Sequence, residues 1–185
     1  MATETLRPTG AGDETNLTPS PAPNWDAVND IAPDEDATLV LASWYASWYR
    51  DFYQCGDILI ASGTINKITV YVRARATTNP NWNNLVIPIK TSGGTISESP
   101  QMMTTGSWAD YSRDWATNPE TGNPWTIAEI NGLQIGCRMR RPKSDTNLYD
   151  TRATQVYLVV DYTPAGAGLG NKSSMAARLV AGKLV

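Results

Sequence analysis

Gln155-Val156-Tyr157-Leu158-Val159-Val160-Asp161-Tyr162 carries the clearest strand pattern in the chain. β-Branched and aromatic residues fill the run. Val156, Leu158, Val160 and Tyr162 fall on one side of an extended chain, and Tyr157, Val159 and Asp161 on the other. Successive side chains of a strand point to opposite faces, so the run predicts a strand with one face in a core. The pattern stops at Thr163-Pro164-Ala165-Gly166. The same period appears at Ile65–Ala76, where Ile68, Val70, Val72 and Ala74 oppose Thr69, Tyr71, Arg73 and Arg75. It returns at 133–140, with Leu133, Ile135, Cys137 and Met139 against Gln134, Arg138 and Arg140.

Shorter segments at 38–42, 46–53, 85–89, 96–99 and 111–115 have strand character, and Pro88 marks an edge or a bulge in the third of these. Turn chemistry separates them at Asn79-Pro80-Asn81 and Ser92-Gly93-Gly94. Many short strands at this spacing predict an all-β fold, an antiparallel β-sandwich of jelly-roll type. One insertion departs from it. Thr126, three residues before Glu129 and just after Pro124, predicts a capped helical turn over 126–131.

The ends read differently. Residues 1–24 carry Pro8, Gly10, Gly12, Pro19, Pro21 and Pro23 and little apolar content, which predicts an extended arm with room for a short β segment near Thr3–Arg7. Residues 25–163 form the sandwich domain. Residues 164–185 read as a Gly-rich linker and a docking tail, in which Met175 and Leu179, then Val180 and Leu184, repeat a helical spacing ahead of Val185. Charge is uneven. Glu4, Asp13, Glu14, Asp26, Asp30, Asp34, Glu35 and Asp36 face only Arg7 up to residue 38, whereas the tail holds Lys172, Arg178 and Lys183 without an acid. These features predict an interface with neighbouring molecules built from Leu6, Arg7, Met175, Leu179, Val180, Leu184 and Val185.

Composition narrows the chemistry. The chain has no histidine and two cysteines, Cys55 and Cys137. A Ser-His-Asp triad, a Cys-His pair and a His-containing zinc site are excluded, and two thiols are too few for a thiolate zinc site. Both cysteines read as reduced and buried. A net charge of −3 gives no general polyanion signature, so no nucleic-acid partner is expected. No apolar run approaches the roughly 18 residues of a membrane helix, and the start lacks the basic and apolar segments of a secretion signal. No cofactor is expected: Gly166-Ala167-Gly168-Leu169-Gly170 lacks the spacing and lysine of a phosphate loop.

Trp44, Tyr45, Trp48, Tyr49, Phe52 and Tyr53 form the densest aromatic cluster. Trp44 and Trp48 share one parity and Tyr45, Tyr49 and Tyr53 the other, so one set faces the core. The remaining set, with Trp44, Tyr45, Trp48 and Tyr49 as candidates, serves an interface or a glycan platform. Asp34-Glu35-Asp36 reads as a solvated turn that does not match a calcium loop. Arg138, Arg140, Arg141 and Lys143 form a basic cluster for which the N-terminal acids of an adjacent copy are a fitting partner. Carboxylate pairs such as Asp110 with Asp114, or Glu120 with Glu129, have the residue types of glycosidase chemistry, but a chain with 18 acids always offers such pairs, and no enzymatic activity is expected from them.

Three stretches carry a resemblance: residues 4–15, the motif from Asn118-Pro119-Glu120-Thr121-Gly122-Asn123-Pro124-Trp125 through Gly136, and 154–162. Together they resemble a family of jelly-roll-like structural or surface proteins of tailed-bacteriophage virions. The resemblance implies a non-enzymatic sandwich on a virion, made in the host cytoplasm. Its expected role is capsid decoration or stabilisation, with the major capsid protein or other virion subunits as partners and homo-oligomers as the expected state. The alternatives are a carbohydrate-binding module for host attachment and a self-assembling filament subunit.

Overall fold

The structure is a computed structural model that describes residues 1–42, 47–77, 83–141 and 150–165. Thirteen strands, one short α-helix and one 3-10 turn (Asp26–Val28) occur among the described residues. In chain order they are β1 (Ala2–Leu6), β2 (Pro8–Thr15), β3 (Thr18–Ser20), β4 (Leu39–Leu41), β5 (Trp48–Cys55), β6 (Gly63–Ala76), β7 (Asn83–Val86), β8 (Pro88–Lys90), β9 (Ile96–Glu98), β10 (Met102–Met103), β11 (Ala109–Trp115), α1 (Ile127–Asn131), β12 (Gln134–Arg140) and β13 (Thr151–Pro164). All pairings are antiparallel, and they make the two sheets of a sandwich.

The first sheet runs β11-β6-β13-β4-β3, with β1 added along β13. The second runs β10-β7-β12-β5-β2, with β8 on β12 and β9 on β8. β6 and β13 form the longest ladder, from Thr151 opposite Ala76 to Pro164 opposite Gly63. The alternation holds: Val156, Leu158 and Val160 are fully buried opposite Val72, Val70 and Ile68, while Tyr157, Val159 and Asp161 stay half-buried outside. A register shift at Asp161/Tyr162 leaves Tyr162 half-buried although its parity is inward. From the second sheet, Tyr53, Ile135, Cys137, Met139, Leu85 and Ile89 complete the core. Side chains from two inner faces fill the space between aligned sheets, which is how a sandwich of this kind buries its apolar surface.

Pro88 sits where the sequence placed a break. β7 and β8 both pair with β12, interrupted at Ile87, whose amide donates to the Ser99 hydroxyl at 2.9 Å. The helical turn also forms as expected. The Thr126 hydroxyl accepts from the Glu129 amide, and the Glu129 carboxylate accepts from the Thr126 amide at 2.8 Å.

The N-terminal segment corrects an expectation. Residues 2–20 are extended, and they pair as strands within the chain itself. β1 pairs with β13, β2 with β5 and β3 with β4, so the chain crosses from the first sheet to the second at Arg7 and returns before Thr18. Leu6, expected at an interface, is buried in the chain's own core opposite Leu158. Arg7 lies 5.0 Å over the Tyr157 ring and donates to the Asp30 and Ile31 carbonyls. The physical reason is edge closure. β5 and β13 need backbone partners along their open sides, and a polar strand supplies N–H and C=O groups without apolar side chains. Gly12 permits the close approach: a Cβ there would stand 2.6 Å from the Phe52 carbonyl.

The N-terminal acids are likewise matched within the chain. Glu14 pairs with Arg50, Asp13 with Lys90, Glu35 with Arg73, and Asp36 with Arg75 and Arg152. The turn Asp34-Glu35-Asp36 is therefore an arginine-anchored strap on the first sheet. No group of three acidic, histidine or cysteine residues is placed to hold a metal among the described residues. Cys55 and Cys137 are free thiols; Cys137 is buried and Cys55 half-buried.

Candidate functional site

The site forms on the outer face of the second sheet. On β5 Tyr53 is fully buried, Tyr49 packs against the core and Trp48 projects outward with Arg50, while Phe52, of the same outward parity, is fully buried beneath Arg50. β12 places Arg138 opposite Arg50 and Arg140 opposite Trp48. β2 brings Glu14 from one side, and β9 brings Ile96 and Glu98 from the other. With Asn16, these strands enclose a cleft of about 640 Å³ lined by Glu14, Trp48, Arg50, Ile96, Glu98 and Arg138. That volume lies within the range of small-ligand sites.

A continuous chain of charges crosses the cleft. Glu14 accepts two bonds from Arg50, from Nε at 3.0 Å and Nη2 at 2.6 Å. Arg50 Nη1 reaches Glu98 Oε1 at 3.3 Å, and Arg138 Nη1 donates to Glu98 Oε2 at 2.7 Å. The two-point bond with Glu14 holds the Arg50 guanidinium above its ordinary range, against the smaller effect of burial. Arg138 and Arg140 each place a guanidinium carbon 4.9 Å from the Trp48 ring centroid, and Arg50 lies 4.9 Å over Phe52. Planar cations over indole and phenyl faces add attraction and hold the side chains in fixed orientations. The cleft thus has an aromatic wall, rigid bidentate donors and acidic acceptors, each cation of the chain neutralised by a carboxylate. Such a surface suits an uncharged ligand rich in hydroxyl groups, since each ion pair retains unused lone pairs and N–H directions.

Behind the cleft, Asp51 anchors its wall. Its carboxylate is buried and accepts from the Leu17 amide at 2.8 Å, the Asn24 side-chain amide at 2.6 Å and the Tyr53 hydroxyl at 3.1 Å. Burial pushes the Asp51 carboxyl above its usual range, and these bonds oppose the shift. Leu17 follows Asn16, so Asp51 ties the β2–β3 corner to β5.

Of the residues singled out in the sequence, Trp48 and Arg138 meet in the cleft, and Tyr49 belongs to the core side. Trp44 and Tyr45 lie outside the described residues, as do Lys143 and the tail positions Met175, Leu179, Val180, Leu184 and Val185. Arg138 of the basic cluster, for which the acids of a second copy are the expected partner, pairs with Glu98 of its own chain. The carboxylate pairs are engaged elsewhere. Asp110 bonds Arg73, Asp114 bonds Lys67 and Thr69, Glu120 accepts from the Gly93 amide, and Glu129 caps α1. Sequence reasoning missed Arg50, Glu14 and Glu98 as site residues. Arg50 shares the outward parity of Trp48, which was a usable signal. The two acids come from strands whose placement no local pattern revealed.

No family model matches the sequence. No curated protein matches it. Solved structures similar to this chain include a family 16 carbohydrate binding module, at 10% identity and a TM-score of 0.45, covering 80% of this chain and 89% of that one. An SGBP-B protein from a xyloglucan utilization locus of Bacteroides uniformis is similar at 8% identity and a TM-score of 0.42, covering 80% of this chain and 46% of that chain. The enzymatically active domain of tailspike protein 4 of bacteriophage CBA120 is similar at 12% identity and a TM-score of 0.39; the match covers 84% of this chain and 19% of that one.

Proposed function

We propose that this protein is a non-catalytic carbohydrate-binding sandwich whose outer cleft holds a short stretch of neutral glycan. The observation that carries the reading is the convergence of Trp48 with the Glu14–Arg50–Glu98–Arg138 chain in one open cleft. The paired charged groups take sugar hydroxyls as charge-assisted hydrogen bonds, and the part of the Trp48 indole that Arg138 and Arg140 leave uncovered meets the C–H face of a sugar ring. The fixed pairs are formed before the ligand arrives, so little side-chain ordering opposes binding.

The test is a screen of the purified protein on a glycan array, followed by calorimetry with the best neutral oligosaccharide. Trp48→Ala lowers affinity by at least about tenfold, roughly 1.4 kcal/mol, and leaves the melting temperature nearly unchanged because Trp48 lies outside the core. An array without binders, or equal affinity in the variant, sinks the reading.

A role as a capsid decoration or stabilising subunit comes second, with the virion as its location. It retains the support of the resemblance in the sequence. It loses the N-terminal arm, because residues 2–20 are paired within the chain, and its remaining docking residues lie outside the described ones. A filament built by donating the N-terminal strand loses its donor for the same reason. A glycan-binding sandwich carried by a virion satisfies both the cleft and the resemblance.

A further inference from the structure

The outer face of the first sheet carries a row of planar groups that ends one position short. Tyr71 on β6 and Tyr157 on β13 are directly opposed, and their rings stack with centroids 4.9 Å apart and planes within 7°. That spacing equals the distance between neighbouring strands, so the rings stand one per strand across the ladder. On the far side Arg7, which follows β1, places its guanidinium 5.0 Å over Tyr157. The row therefore reads guanidinium, ring, ring. The next strand, β11, puts Ser112 opposite Tyr71. Serine is too short to fill a strand-wide gap, and Ser112 is exposed. Among the described residues no ring or cation stacks on Tyr71 from the β11 side.

The flanks of this gap carry ion pairs. Asp110 and Asp114 lie two residues either side of Ser112 on the same face, about 7 Å away along the strand. Asp110 bonds Arg73 at 3.2 Å, and Asp114 bonds Lys67 at 2.6 Å and the Thr69 hydroxyl at 2.8 Å. Both carboxylates keep more than half of their side-chain surface open, at 58% and 51%. Each flank thus offers acceptors and donors together, with a carboxylate excess at the Asp110 end because Arg73 is shared with Glu35. A hydroxylated ring would find an aromatic face at its back and a half-open carboxylate beside an N–H donor at each end.

We infer that the gap over Ser112, walled by Tyr71 and flanked by Asp110 and Asp114, is a second saccharide-binding slot, one sugar ring wide, on the sheet opposite the cleft. It shares the ligand class proposed for the cleft but no residue with it. Two sites on opposite outer faces would let one molecule bridge two glycan chains, and linked sites raise overall avidity without new contacts.

The experiment measures binding stoichiometry and affinity by calorimetry with cellohexaose and mannohexaose as probes. It compares the wild-type chain, Trp48→Ala, Tyr71→Ala and Ser112→Trp. Ser112→Trp fills the gap from an exposed edge-strand position and leaves the core untouched, which guards against a variant that fails to fold. The expected result is two sites per wild-type chain, one of which persists in Trp48→Ala and is weakened at least about tenfold in Tyr71→Ala and in Ser112→Trp. Trp48→Ala with no residual site overturns the slot and spares the cleft. Unchanged binding in Trp48→Ala with loss in Ser112→Trp supports the slot and removes the cleft. Binding unaffected by Ser112→Trp, or absent with both probes, overturns the slot.

Discussion

Asp51 shows how one side chain serves both the fold and the site. It is a buried carboxylate whose partners are the Leu17 amide, the Asn24 amide and the Tyr53 hydroxyl. Truncation leaves those donors buried without an acceptor, each such loss costing about 1–3 kcal/mol. Asp51→Ala should therefore lower the unfolding free energy by about 2–4 kcal/mol, read from urea denaturation. The pH dependence has a definite sign. Burial raises the folded-state value above the ordinary 3.8, so the folded chain holds this proton more tightly than the unfolded chain. Its contribution is full below the unfolded value and is lost as pH rises through the folded one. Asp13, Asp114 and Glu129 are shifted downward by bonds from Lys90, Lys67 and Thr126 and act in the opposite sense. Those terms are common to wild type and Asp51→Asn and cancel in a comparison. The stability difference, wild type minus Asp51→Asn, should fall as pH rises from below the ordinary value of 3.8 through the raised folded-state value; a difference that grows with pH contradicts the account.

At the scale of elements, β13, β6 and β12 were legible because each buries one complete face, and burial enforces the period of two. The outward parity of Trp48 and Arg138 was legible for the same reason. The N-terminal strands were not. β1 to β3 bury little beyond Leu6 and Pro8, and they are held by backbone pairing with edges that other segments create. A sequence dense in proline and glycine advertises no core contact, so composition alone reads as an unpaired arm. The cleft was half visible. Its aromatic and one arginine follow from alternation, but its acids come from β2 and β9, whose positions depend on the whole sheet order. Deleting residues 1–20 tests the role of these strands. It exposes the open sides of β5, β13 and β4 at once, and the expected outcome is loss of the cooperative thermal transition with aggregation seen by light scattering. A truncated chain that melts like the wild type shows the strands to be dispensable.

At the scale of the molecule, the sandwich is closed on one side by its own N-terminus and presents two chemically distinct outer faces. One holds an aromatic cleft spanned by ion pairs, and the other a ladder of stacked planar groups. The acid-rich start of the chain, which in isolation suggests attraction between copies, neutralises arginines and a lysine of the same molecule. What remains outward is directional hydrogen bonding around aromatic rings, on which the proposed glycan binding rests. The decisive measurement is an amide and indole NMR titration of the wild-type chain with the best neutral oligosaccharide from the array. Saturable shifts centred on the Trp48 indole and on Arg50, Glu98 and Arg138 are the predicted result. Saturable shifts confined to other surfaces, or none at millimolar ligand, would contradict the central claim.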